Sequence, residues 1–206
     1  MKKTITGLTF FIFTAFQVQA QEQIQQKHQL QLHAGLSWIG VFVNIANDVN
    51  VVEDIDISAT PSFYLSYDNR IYERVSLGAA VAYQRINAFY ENYQYEQDGQ
   101  TITEDFGSKL TRLNFSVRAL YWYQLSQSFR LYSGIRLGIS NWSSDTNVGD
   151  PNFSPDRFIN LALGATVTPQ LILLGGNFPL STHWKLGGEL AIGAPYFISG
   201  GVTYAW

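Results

Sequence analysis

Arginine recurs at even spacing inside stretches that are otherwise apolar. In LTRLNFSVRALYWY, Arg112, Asn114, Ser116 and Arg118 alternate with Leu113, Phe115, Val117, Ala119, Tyr121 and Tyr123. In FRLYSGIRLGIS, Arg130, Tyr132, Gly134, Arg136 and Gly138 stand opposite Phe129, Leu131, Ile135, Leu137 and Ile139. WKLGGELAI sets Lys185, Gly187 and Glu189 against Trp184, Leu186, Leu190 and Ile192, and SATPSFYLSY puts Tyr64 between Ser62 and Ser66. Guanidinium groups gathered on one side either pair with carboxylates or attract anions. Glu189 is the clear carboxylate on that side. If the SQS turn pairs Gln124 with Arg130, then Arg118 falls opposite Arg136. Like charges directly opposed destabilise a pair of strands, so something must sit between them.

Other chemistry is thinner. Acyl transfer needs a nucleophile with a base in reach, and the chain has three histidines, His28, His33 and His183. Ser181 stands beside His183 in STHW, without a surrounding motif. No catalytic residue is assigned, and the expectation is that the chain is not an enzyme. The absence of cysteine removes disulfides, thiolate metal sites and catalytic thiols. Carboxylates crowd three segments: Asp48, Glu53, Asp54 and Asp56; Glu91, Glu96, Asp98, Glu104 and Asp105; Asp145, Asp150 and Asp156. Their oxygens suit hard cations, but their spacing matches no calcium loop. They read as a solvated rim, with no metal and no cofactor expected. LLGGN and KLGGEL lack the spacing of phosphate-binding loops. The net charge of -3 argues against a nucleic-acid partner.

The elements that must position these residues are strands. Eight alternating segments follow one another, beginning with LQLHAGLSWIGVF, which extends the first strand to Phe42, and ending with ISGGVTYAW. The sixth runs from FINLALGATV into QLILLGG, and a bulge or kink is expected at Thr168-Pro169 because proline cannot donate to a ladder. Connectors after the second, fourth and sixth strands, DNRIYER, SQS and NFPLSTH, are short. Those after the first, third and fifth are long, and QYEQDGQTIT within one of them reads as a hairpin projecting as an extra ribbon.

Short turns on one rim and long loops on the other are the pattern of an outer-membrane β-barrel. A narrow eight-stranded barrel has room inside only for side chains that fill it. The small and polar set therefore belongs inside and the large apolar set against lipid. Aromatics near strand ends, Tyr121, Trp122, Tyr123, Trp184, Tyr204 and Trp206 at one end and Trp38, Phe42, Tyr83 and Phe89 at the other, read as two interfacial bands. Lys2 and Lys3, an apolar run to Phe16 and Val18-Gln19-Ala20 read as a secretory signal peptide over 1–20. The barrel domain is expected over 21–206, with both termini in the periplasm.

TPQLILLGGNF followed by WKLGGELAIGAPYFISGGVTYAW resembles the small porin-like outer-membrane β-barrel domain common in Bacteroidetes. Gln170 stands where that family often has a glycine, and Ala191 where Glu-Leu-Gly is usual. The resemblance implies fold and location and no single activity.

The sequence thus predicts an all-β, eight-stranded, up-and-down antiparallel barrel in the outer membrane. Its lumen network would comprise Arg112, Arg118, Arg130, Arg136, Lys185, Glu189 and Tyr64. Read as a plug, Glu189, Tyr64, Tyr132, Asn114 and water satisfy the arginines. Read as a conduit, the arginines line a narrow, anion-preferring pore. Val202, Tyr204 and Trp206 would anchor the last strand in lipid and resemble the signal read by barrel-assembly machinery. The expected function is structural or interactive at the cell surface, with an extracellular ligand or protein met by the acidic loops. A lipid-modifying enzyme is the third reading.

Overall fold

Alternation becomes a strand wherever a neighbour completes the ladder, and here each of the eight barrel strands finds two, while a further short strand, Ile55–Ala59, pairs with one. The computed structural model describes residues 26–48, 55–97, 99–123, 129–147 and 164–206. The leader 1–20, the SQS turn, Asp98 and the acidic residues Glu53, Asp54, Asp150 and Asp156 lie outside the described residues.

The strands are β1 (His28–Leu36), β2 (Ile55–Ala59), β3 (Ser62–Tyr72), β4 (Val75–Gln97), β5 (Gln100–Tyr123), β6 (Arg130–Asn147), β7 (Gly164–Pro179), β8 (Trp184–Gly193) and β9 (Ile198–Ala205). One helix, α1 (Trp38–Asp48), follows β1. β1 pairs with β3 on one side and β9 on the other, and the sheet runs on through β4, β5, β6, β7 and β8 back to β9. Eight strands close a barrel in which every neighbouring pair is antiparallel. β2 pairs with β4 at Ile86–Tyr90, beyond the last β3 partner Tyr83, and so continues the line of β3 after Thr60-Pro61.

The two faces differ as alternation requires. Leu32, Phe115, Val117, Ile135, Ile139, Val167 and Ile192 are each more than half exposed on the outside. Arg112, Asn114, Arg118, Arg136, Gln170, Lys185 and Glu189 are buried inside. A continuous apolar band around a closed barrel is a surface for hydrocarbon, since soluble monomers do not expose patches of that size. At the end where β1 begins and β9 ends, Trp206 stacks on His28 and tilts against Tyr204 (centroids 5.6 Å apart in each pair), and Trp184 meets Tyr204 edge-on at 5.1 Å. At the other end Trp38 stacks on Phe197 at 4.3 Å.

The structure departs from the sequence reading in four places. The first strand stops at Leu36 instead of Phe42. Its neighbours run out there, since Gly35 meets the first residue of β3 and Leu36 the first of β9. Ser37 then caps a helix, its Oγ accepting the amide of Gly40 at 3.0 Å. Pro169 sits in register opposite Leu137 and carries no bulge; β8 has ended by then, so the missing N–H interrupts no ladder on that side. The irregularity falls instead at Leu173, between Ile172 and Leu174, where two consecutive leucines both reach the outside. DNRIYER is largely strand, with β3 running to Tyr72 and only Glu73 and Arg74 turning. Trp122 points into the lumen rather than toward an interfacial band, its Nε1 donating to Ser76 Oγ at 2.9 Å.

Candidate functional site: the filled lumen

The arginines of β5 and β6 converge on two carboxylates. Arg118 stands directly opposite Arg136 in the β5–β6 register. Arg118 grips Asp68 of β3 through two nitrogens, Nε to Oδ1 at 2.6 Å and Nη2 to Oδ2, and sends Nη1 to Glu189 Oε1 at 2.9 Å. Arg136 reaches the other oxygen of Glu189, Nη2 to Oε2 at 3.3 Å, and donates through Nη1 to Gln170 Oε1. Two guanidinium and two carboxylate groups leave this layer formally neutral. Tyr132 donates to Glu189 Oε1 at 2.7 Å, and Tyr196 donates to Oε2. Tyr64 Oη accepts from Arg118 Nη1 at 2.8 Å and lies 3.2 Å from Glu189 Oε1. Arg136 also lies 4.9 Å from the Tyr64 ring centroid and 5.1 Å from that of Tyr196. Charges this deep are tolerated only when paired, and each of these four is, although Arg136 Nε is buried with no hydrogen-bond partner among the described residues.

Glycine makes room for the large members. A Cβ at Gly175 would lie inside the ring of Tyr132, and one at Gly201 would meet the backbone and ring of His33. The inward face of β7, β8 and β9 is therefore hollowed where the aromatic side chains of β6 and β1 project.

Apolar clusters lie on either side of the ion-pair layer. Toward the long-loop end, Ile86, Leu110 and Trp142 form a cluster that Ile39 and Val43 of α1 cover. These two lie one helical turn apart on one face, while Trp38, Phe42 and Ile45 are exposed on the other. Gln84 Nε2 donates to Ser37 Oγ at 2.6 Å and ties the start of the helix to β4. Arg112 lies beside this cap, over the Trp142 ring at 5.4 Å, and donates to the Pro195 carbonyl at 2.5 Å. Nearer the termini, Leu120, Trp122, Tyr132, Ile172 and Ala191 pack together.

The overall shape is similar to solved structures of the Yersinia pestis outer membrane protein Ail. Its backbone structure in a phospholipid bilayer nanodisc shares 12% identity at a TM-score of 0.42, covering 88% of this chain and 100% of that one. The crystal structure of Ail in complex with the heparin analogue sucrose octasulfate shares 8% identity at a TM-score of 0.35, covering 87% and 95%. No family model and no curated protein matches the sequence.

Of the residues singled out in the sequence, Arg118, Arg136, Glu189 and Tyr64 meet in one network. Arg112 lies apart, under the helical cap. Arg130 and Lys185 lie toward the termini, away from Glu189. Asn114 does not serve the arginines; its Nδ2 donates to Ser140 Oγ and Thr168 Oγ1, both at 2.8 Å. Val202 and Trp206 face outward. Trp206 also exchanges backbone hydrogen bonds with His28, 3.0 Å each way, which closes the barrel at that edge.

Three participants escaped the sequence reading. Asp68, placed in a connector there, is a second inward carboxylate, so Glu189 does not stand alone. The signal was present, since Ser62, Tyr64, Ser66 and Asp68 keep the inward period. Tyr196 and Gln170 carried no such mark. His33 is also deeper than its place near the chain start suggested. Its Nδ1 lies 3.4 Å from Ser199 Oγ in the lumen wall, and its Nε2 faces Gly187 with no hydrogen-bond partner among the described residues. This serine-histidine pair has no carboxylate on the ring to orient it. His183 hydrogen-bonds the Ala205 carbonyl of β9 (3.0 Å), while Ser181 accepts the amide of Trp184 (3.1 Å), so the STHW pair is engaged with the backbone and not with each other.

Proposed function

We propose that the mature chain, beginning at Gln21, is a plugged outer-membrane barrel that acts at the cell surface through its β4–β5 ribbon. The termini then lie in the periplasm and the ribbon outside the cell. The observation that carries this reading is a two-stranded ribbon that runs past the last neighbouring strand residues among the described ones. The last described β2 partner on β4 is Tyr90, and the last described β6 partner on β5 is Gly107. Beyond those points, Tyr93–Gln97 and Gln100–Glu104 pair with each other. A bulge at Glu91-Asn92, with Asn92 at φ 56° and its amide donating to Asp105 Oδ1 at 3.1 Å, sets the ribbon off from the barrel wall.

An exposed strand edge offers backbone donors and acceptors to an extended partner segment. Glu91, Glu96 and Asp105 are exposed along this one and favour a basic partner. The lumen supports the same reading, because its neutral ion-pair layer and apolar caps leave side chains where a conduit needs water. Val202, Tyr204 and Trp206 supply the alternating aromatic end offered to barrel-assembly machinery, with outer-membrane lipid as the solvent of that face.

A variant with residues 92–104 replaced by Asn-Gly tests the role of the ribbon. Immobilised in nanodiscs, the full chain should capture a lysine-rich extended peptide with an affinity that falls as salt rises. The trimmed variant should lose that capture while keeping the barrel. Equal capture by both would remove the ribbon from the account.

A further inference from the structure

The outward apolar row of β1 does not stop where the strand does. Leu32 and Leu36 are exposed on the hydrocarbon side, Ser37 turns inward to Gln84, and Trp38, the first residue of α1, takes the next outward place. Its ring stacks at 4.3 Å on that of Phe197, which precedes the outward Ile198 of β9. Phe42 and Ile45 follow Trp38 at four and seven residues, a spacing that brings all three to one side of a helix. Each of the three is half or more exposed. The opposite side is already used, since Ile39 and Val43 cover the cluster of Ile86, Leu110 and Trp142. Asn44 Oδ1 accepts the amide of Ala59 at 3.2 Å and ties the helix to β2.

α1 is therefore apolar on two sides. From Trp38 to Ala46 it has one polar side chain, Asn44, and no charge. A helix resting on a protein in water carries polar and charged residues opposite its packed stripe, whereas one that is apolar all round is covered. The far wall of the barrel differs. Beyond its apolar band the next two outward rows are polar, Arg85 with Thr111 and Ser143, then Asn87 with Lys109 and Asp145.

We infer that α1 lies in the membrane leaflet at the long-loop end, with its Trp38–Phe42–Ile45 face among lipid acyl chains and its Ile39–Val43 face over the lumen. Lipid is the occupant because this face is continuous, through Leu36, Phe197 and Ile198, with the hydrocarbon-facing surface of β1 and β9. Tryptophan at the helix start suits the boundary between chains and headgroups, and an apolar helix face sinks into that boundary by roughly 5–10 Å. The lipid-facing surface is thus taller on the β9–β1 side than on the β4–β6 side. This placement depends on the barrel spanning the membrane and is independent of what the β4–β5 ribbon binds.

The chain has no cysteine, so one introduced into α1 carries a label at a single place. Phe42→Cys, labelled with the environment-sensitive fluorophore NBD, is refolded into phosphatidylcholine nanodiscs holding one chain each. Its emission should lie to the blue of the same label at Glu96→Cys on the ribbon and close to that at Ile135→Cys within the apolar band. Phosphatidylcholine with a nitroxide near the headgroup end of an acyl chain should quench the label more than phosphatidylcholine with a nitroxide on the headgroup, and aqueous iodide should quench it least. Ile45→Cys gives the same measurement if Phe42→Cys does not fold. Emission and iodide quenching equal to those of the ribbon label would put this face in water and overturn the inference. A blue shift that appears only when two chains share a disc would assign the face to a second copy and overturn it equally.

Discussion

Arg118 and Arg136 face each other across β5 and β6, and Glu189 separates them, giving one oxygen to each at 2.9 and 3.3 Å. A cross-strand pair of like charges would ordinarily weaken the ladder. Here a carboxylate from β8, across the barrel, turns the repulsion into a tie between walls. The lumen is thereby a structural core made of charge, and several consequences follow from its geometry.

Glu189→Gln removes the shared counter-ion and leaves two buried guanidinium groups against a neutral amide. Breaking a buried pair in this way costs about 3–5 kcal/mol. Urea unfolding of the refolded barrel, followed by tryptophan fluorescence, should show a loss of that order. A loss near zero would mean that the arginines are hydrated instead of paired.

Asp68 and Arg118 form the other half of the layer, through two nitrogens and two oxygens. A double-mutant cycle with Asp68→Asn and Arg118→Met should give a coupling of about 1–3 kcal/mol. Additive single effects would contradict a direct tie between β3 and β5.

Gly175→Ala places a methyl within the ring of Tyr132. The overpacking should cost about 1–3 kcal/mol. Gly107→Ala is the control, since nothing lies within 4 Å of a Cβ there. Equal stability of the two variants would show that Tyr132 has another place to go.

Trp206→Ala leaves the final ladder intact but removes the ring stacked on His28 and tilted against Tyr67 and Tyr204. In cells, a smaller fraction should reach the membrane as heat-modifiable, folded barrel, while the purified variant should still refold in detergent. Unchanged assembly in cells would detach the terminal aromatic from the assembly signal.

Much of this architecture was legible because lipid outside and side chains inside impose a strict period of two. Arg112, Arg118, Arg130, Arg136, Lys185 and Glu189 could be placed inward by counting, and the opposition of Arg118 to Arg136 followed from a turn length. What escaped depended on where strands end, which is a property of their neighbours. Asp68 looked like a turn residue because Asp-Asn-Arg favours turns locally, yet β1 and β4 extend far enough to keep it in strand. Trp38–Phe42 kept an apolar pattern that suits strand or helix alike, and only the exhaustion of β3 and β9 at Leu36 settles it as helix. Tyr196 sits in a tight turn next to Pro195, where alternation carries no information about direction.

The most direct test of a filled lumen is single-channel recording of the purified, refolded barrel in planar bilayers, with an anion/cation reversal potential. A plugged lumen predicts a silent bilayer from correctly folded protein. Stable, anion-selective steps that vanish in Arg118→Ala and Arg136→Ala would contradict it and make the barrel a pore.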